Sequence, residues 1–217
     1  MLGIVLPCLL IPAAVLVGIV AVDARLHLWV SFAVAILTLG VFIAGVEKRM
    51  IGSRRAVLVA VMIALCVVGR LIPFFKPVTA ITVLAAVYLG KESGFTVGAF
   101  AALLSNFYVG QGPWTPFQML AWGLIGFFAG MLAKPLQKSR VALMLYGALS
   151  GVAFSCLMDL FTVLWYQPNP TPALYLGALL TALPHTLLYL ISNLLFLYLL
   201  AKPFGEKLSR IKLKYGV

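Results

Sequence analysis

Charge is what this 217-residue chain has least of: charged residues make up 10% of it, and Asp and Glu together number five. So little charge cannot solvate the surface of a water-soluble domain of this size. Cysteines number three, Cys8, Cys66 and Cys156, all inside apolar runs. An odd count in such places provides neither a disulfide framework nor a metal site, and they read as small packing residues. No G-x-x-x-x-G-K-[ST] segment is present, so the chain has no P-loop for ATP, and no HExxH or cysteine cluster offers metal ligands. The sequence therefore calls for no metal and no cofactor. The start, Met1-Leu2-Gly3, lacks a basic n-region, and the apolar run beyond it reaches Val22. That predicts a spanning helix that stays rather than a signal peptide.

Apolar residues, by contrast, make up 64% of the sequence, and the mean hydropathy is +1.12. The expectation is an all-α polytopic bundle in a lipid bilayer. Apolar runs of spanning length, with shorter ones allowed beside irregular loops, fall at about 2–22, 28–46, 55–72, 77–90, 93–107, 116–133, 141–166 and 173–200. The polar corner Gly90-Lys91-Glu92-Ser93 marks a membrane surface between the fourth and fifth.

Basic residues orient the bundle. With the N-terminus in the cytoplasm, the inner loops hold Lys48, Arg49, Arg54, Arg55, Lys91, Lys134, Lys138 and Arg140, and the C-terminal tail holds Lys202, Lys207, Arg210, Lys212 and Lys214. Only Arg25, Arg70 and Lys76 fall outside, a strong positive-inside bias in short loops. The net charge of +11 is then a consequence of topology and not a sign of nucleic-acid binding. Both termini are expected in the cytoplasm of a multi-pass cell-membrane protein, with the tail, residues 202–217, lying against anionic headgroups.

Three irregular loops converge on the outer surface: Arg70–Pro77 (RLIPFFKP), Asn106–Gln118 (NFYVGQGPWTPFQ) and Gln167–Pro172 (QPNPTP). Polar, irregular backbone near membrane depth is tolerated where protein buries it or where it lines a cavity. These loops are therefore expected to hold a small, neutral or weakly charged molecule. Candidate binding residues are Arg70, Lys76, Asn106, Gln111, Trp114 and Gln118, with Trp122 and Trp165 toward the same side. Trp114, inside a polar loop, is the tryptophan that an interfacial aromatic belt explains least.

Within the spans, Asp159 is the one carboxylate well inside a helix, a placement that costs about 2.5–3.5 kcal/mol on insertion scales. It needs a partner, for which Arg70, Lys76, His185 and Asn193 are the candidates; a satisfied interhelical hydrogen bond explains it as well as ligand contact does. His185 follows Pro184, which can kink the helix and turn the imidazole toward a cavity. Small residues recur every four positions at Ala56, Ala60 and Ala64, at Gly94, Gly98 and Ala102, and at Gly147, Gly151 and Ser155. Each set lines one helical face and permits close helix approach, inside the bundle or with a partner.

Taken together, the Ala56-xxx-Ala60-xxx-Ala64 helix, then GRLIPFFKPVTAI, then NFYVGQGPWTPFQMLAWGLIGFFAG resembles the S component of energy-coupling factor (ECF) transporters, over roughly residues 55–200. The resemblance implies a six-helix substrate-binding core at 55–201, here preceded by a two-helix hairpin at 1–54. It further implies capture of a vitamin or similar micronutrient from outside, with cobalamin as the leading substrate. Ala56, Ala60 and Ala64 map onto the family's docking stripe for a transmembrane T component, and two ATPase subunits supply the energy. The chain itself would then be no enzyme.

Two other classes are testable against it. Ser150 in Gly147-Ala148-Leu149-Ser150-Gly151, with His185, resembles the serine–histidine pair of rhomboid intramembrane proteases, but glycine is missing at the position of Ala148. A secondary transporter working alone would want several coupled ionisable groups along a path, and Asp159 is nearly solitary.

Overall fold

The computed structural model describes the backbone of residues 2–21, 27–47 and 53–215, and every regular element among them is helical. Arg25, Lys48 and Arg49, used above to orient the chain, lie outside the described residues. The first run is α1 (Leu2–Val5), a π-helical turn (Leu6–Leu10) and α2 (Ile11–Ala21), followed by α3 (His27–Glu47). The core consists of α4 (Ser53–Gly69), α5 (Val78–Leu89), α6 (Lys91–Val109), α7 (Trp114–Met131), the short α8 (Ala133–Lys138), α9 (Arg140–Tyr166) and α10 (Pro172–Tyr215). All eight expected apolar segments are present as helices in a membrane helix bundle.

Glycine and proline punctuate these helices as elementary stereochemistry requires. Gly90 takes φ 99° and Gly110 φ 123°, conformations that only glycine adopts without strain, and each donates its N–H back to the helix it closes, at Ala86 and Asn106 respectively. Gly90 thus compresses the α5–α6 connection into one residue. Pro77 and Pro113 precede α5 and α7, and Pro172 opens α10, positions where a missing N–H leaves no helical bond unmade.

α5 is the axis of the bundle. All of its residues except Tyr88 are buried, and it packs against α4, α6, α7, α9 and α10. A helix apolar all round belongs at a centre. Around it, α6 and α7 approach so closely that a Cβ at Gly98 would overlap the Trp122 carbonyl, and one at Gly126 the Gly94 carbonyl. The glycine stripe on α6 is therefore internal packing. The stripe on α9 has the same role: Gly147 lies against Leu197 and Gly151 against Asn193 and the Tyr189–Leu190 backbone, while the hydroxyls of Ser155 and Thr186 are 2.6 Å apart.

Two features go beyond the sequence expectation. α3 packs against α6 and α7, so the N-terminal hairpin sits on that side of the core, while Ala56, Ala60 and Ala64 on α4 are all exposed. The stretch expected as a separate tail instead continues α10 as helix through Pro203 to Tyr215. At 1.5 Å per residue, its 44 residues would run about 66 Å if straight, roughly twice the hydrocarbon thickness. The extension is held by Gly205, packed under the Tyr88 hydroxyl, and by buried Leu208.

Candidate functional site

The 70–77 and 106–118 loops place a connected polar cluster beside a cavity. Arg70 follows the last residue of α4 and turns its guanidinium inward. Nη1 donates to Ser105 Oγ and to Asn106 Oδ1, each at 2.6 Å, and Nη2 reaches Gln118 Oε1 at 3.5 Å. Asn106, fully buried at the end of α6, donates from Nδ2 to Gln118 Oε1 at 3.0 Å and to Thr115 Oγ1 at 2.9 Å. Thr115 in turn donates to Gln111 Oε1 at 2.9 Å, and Gln111 Nε2 donates to the Leu103 carbonyl at 3.0 Å. This chain of bonds closes the loop 106–118 over the end of α6, and so provides the burial that irregular backbone at membrane depth demands.

Aromatic rings support the cluster from below. The Arg70 guanidinium lies 5.0 Å from the Trp122 ring centroid, Trp122 Nε1 donates to Thr79 Oγ1 at 3.1 Å, and the indole stacks on Phe154 at 4.4 Å. Phe154 meets Tyr189 edge-on at 5.2 Å. Tyr189 then opens into a cavity of about 190 Å³ between the 70–77 loop and α10, lined by Phe74, Lys76, His185, Leu188 and Tyr189. Phe74 holds a left-handed backbone, φ 61°, and its ring is 77% exposed. A bulky residue in that region is strained, and such strain concentrates at ligand-contacting loops. Burial and the charge of Arg70 hold the Lys76 ammonium below the usual lysine range.

The candidates from sequence sort into three groups. Arg70, Asn106, Gln111, Gln118 and Trp122 form the connected cluster, and Lys76 and His185 line the cavity beside it. Asp159, Trp165, Asn193 and Trp114 stand apart. Asp159 interacts electrostatically with His185 and Tyr175, and its buried Oδ2 has no hydrogen-bond partner; neither Arg70, Lys76 nor Asn193 pairs with it. Trp165 stacks on Phe161 at 5.9 Å. Asn193 donates to the Gly147 carbonyl at 2.9 Å, fastening α10 to the half of α9 remote from the loops. Trp114 folds its indole over Gly112 within its own loop.

Sequence reasoning missed Thr79, Ser105, Thr115, Phe74 and Tyr189. Tyr189 was within reach, since it lies one turn beyond His185 on the same face. The others carry no sequence signal that separates them from ordinary helix or loop residues.

Ser150 and His185 do not form a nucleophile–base pair. The Ser155–Thr186 contact fixes the register of α9 against α10, and it puts Ser150 more than one helical turn from the level of His185. Among the described residues no group of His, Cys, Asp and Glu is arranged to hold a metal ion.

A family model described as "ECF-type riboflavin transporter, S component" matches residues 50–202. No curated protein and no solved structure matches the chain.

Proposed function

Since the chain belongs to the family of ECF-type riboflavin transporter S components, we propose that it captures a flavin-class vitamin at the outer face of the cell membrane and delivers it inward. The loops at 70–77, 106–118 and 167–172 form the outer mouth in this reading, and both termini are cytoplasmic. A transmembrane T component and two ATPase subunits complete the importer, which is consistent with the absence of a P-loop here.

The observation that carries the proposal is the juxtaposition of the Arg70–Asn106–Gln118 cluster with an aromatic-walled cavity. A flat tricyclic ring system suits such a site, because Phe74 and Tyr189 offer faces and edges for stacking while the cluster offers donors and acceptors. Gln118 keeps its amide NH₂ without a partner among the described residues, as does the Tyr189 hydroxyl. Lys76, Trp114, Trp122 and His185 border or support the site; Asp159, Trp165 and Asn193 serve the α9–α10 hairpin that closes it. A cavity of about 190 Å³ is smaller than the roughly 300–1,000 Å³ of common ligand sites. A flavin, and still more the far bulkier cobalamin, would extend past it into the open mouth, so the choice of a flavin rests on the family model.

The T component docks, in this reading, on the exposed face of α4 carrying Ala56, Ala60 and Ala64, which the N-terminal hairpin leaves open. Titrating riboflavin into the purified protein in nanodiscs, with flavin fluorescence as the signal, tests the ligand class. Saturable quenching at one site per chain is expected, with cobalamin and thiamine failing to compete. Competition by cobalamin without any flavin binding would reassign the substrate.

A further inference from the structure

Arg70 is 9% exposed, and its Nε is buried without a hydrogen-bond partner. Every partner that its other nitrogens do have is neutral: Ser105, Asn106 and Gln118. Lys76 stands close enough for the two charges to act on one another, and its ammonium has no partner among the described residues. Among the described residues no carboxylate pairs with either. Asp159 is engaged electrostatically with His185, Glu92 lies in the first turn of α6 at the far end from Ser105 and Asn106, and Glu206 lies in the α10 extension.

A buried guanidinium with a half-buried ammonium close by is unfavourable, because each charge raises the cost of the other. An orphaned N–H on a buried guanidinium adds the desolvation of an unmade bond. A neutral ligand filling the cavity would deepen this by excluding the remaining water. An anionic group in the cavity would offset both charges, with a charge-assisted hydrogen bond to Lys76, which lines it, and a Coulombic attraction to Arg70 just beyond the lining.

We infer that the substrate brings an anionic oxygen group to Lys76, within the field of the buried Arg70, so that among flavins the site takes the phosphate-bearing mononucleotide in preference to riboflavin. The inference rests on the flavin reading above. It also narrows the expectation, drawn from the small number of charges in the outer loops, that the ligand is neutral or weakly charged.

Parallel titrations of the full chain in nanodiscs with riboflavin and with flavin mononucleotide test it, at low and at high salt. The mononucleotide is expected to bind at least about tenfold more tightly at low salt, with the advantage shrinking as salt rises. In the Lys76→Gln variant, the ratio between the two ligands is expected to collapse toward one. Among the described residues the Lys76 ammonium donates no hydrogen bond, so this variant tests the charge while leaving intact the bonds that Arg70 makes to the fold. Riboflavin binding as tightly as the mononucleotide, or a ratio unmoved by Lys76→Gln, overturns the inference and leaves the flavin reading intact. Binding of neither flavin overturns both, beginning with the flavin reading.

Discussion

The Arg70 guanidinium lies 5.0 Å from the centroid of the Trp122 ring, and the same indole anchors itself through Nε1 to Thr79 on α5. One residue from the end of α4 is thereby tied to α7, and α7 to the buried axis of the bundle. Its other bonds, to Ser105, Asn106 and Gln118, extend the tie to the end of α6 and the start of α7. This end of the core is organised around that one cation.

Arg70→Lys should therefore be far from conservative. Lysine keeps the charge but has a point donor in place of the planar fork that reaches three acceptors here. The expected result is a loss of ligand affinity of about tenfold or more, accompanied by a lower melting temperature. Fluorescence titration and a thermal melt of the same sample measure both. Unchanged affinity with a lowered melting temperature would limit Arg70 to building the fold.

Trp122→Phe removes the Nε1 donor from the buried Thr79 hydroxyl while preserving most of the ring that stacks on Phe154. An unpaired buried hydroxyl costs about 1–3 kcal/mol, so the single variant should be destabilised by that order. Thr79→Val removes the other half of the pair. In the double variant the cost should be clearly less than the sum of the singles, because no orphan remains. Additive losses would mean that the 3.1 Å contact contributes little.

The packing of α6 on α7 makes a sharper prediction about small residues. A Cβ at Gly98 would run into the Trp122 backbone, whereas one at Gly177 on α10 meets nothing within 4 Å. Backbone cannot swing aside as a side-chain tip can, so Gly98→Ala should cost about 1–3 kcal/mol or more through forced separation of the helices. Gly177→Ala should be neutral or slightly stabilising. Detergent-resistance melts of the two variants side by side decide it; equal behaviour would mean that the α6–α7 approach is looser than described.

Much of this was legible in the sequence, for identifiable reasons. Long apolar runs broken by Gly90, Gly110, Pro113 and Pro172 mark helices and their ends without any tertiary information. Arg70, Asn106 and Gln118 stand out because polar side chains beside membrane helices are few and must find one another. Ser105 and Thr115 did not stand out, since hydroxyls in helices ordinarily bond their own backbone, and only the fold shows that Ser105 also receives Arg70. Phe74 is invisible as a site residue because its distinction is a backbone angle. The lysines of the α10 extension hid its helix: Phe204 and Leu208 recur at helical spacing and face the bundle, while Lys202, Lys207 and Arg210 occupy the other side.

The last prediction concerns the one small-residue stripe that the fold leaves unused. Gly94 and Gly98 are consumed by α7, and Gly147 and Gly151 by α10, but Ala56, Ala60 and Ala64 are exposed, together with Val57, Val61 and Val68. A stripe that packs only against lipid should tolerate a larger apolar side chain, and one that receives a partner helix should not. Ala60→Leu is accordingly expected to leave ligand affinity and melting temperature within error of the parent. The same substitution should abolish co-purification with the T component when the subunits are expressed together. If the complex forms normally with Leu at this position, the partner docks on another face, and the groove between α4 and the α10 extension lined by Arg54, Val57, Leu58 and Ile211 becomes the surface to mutate next.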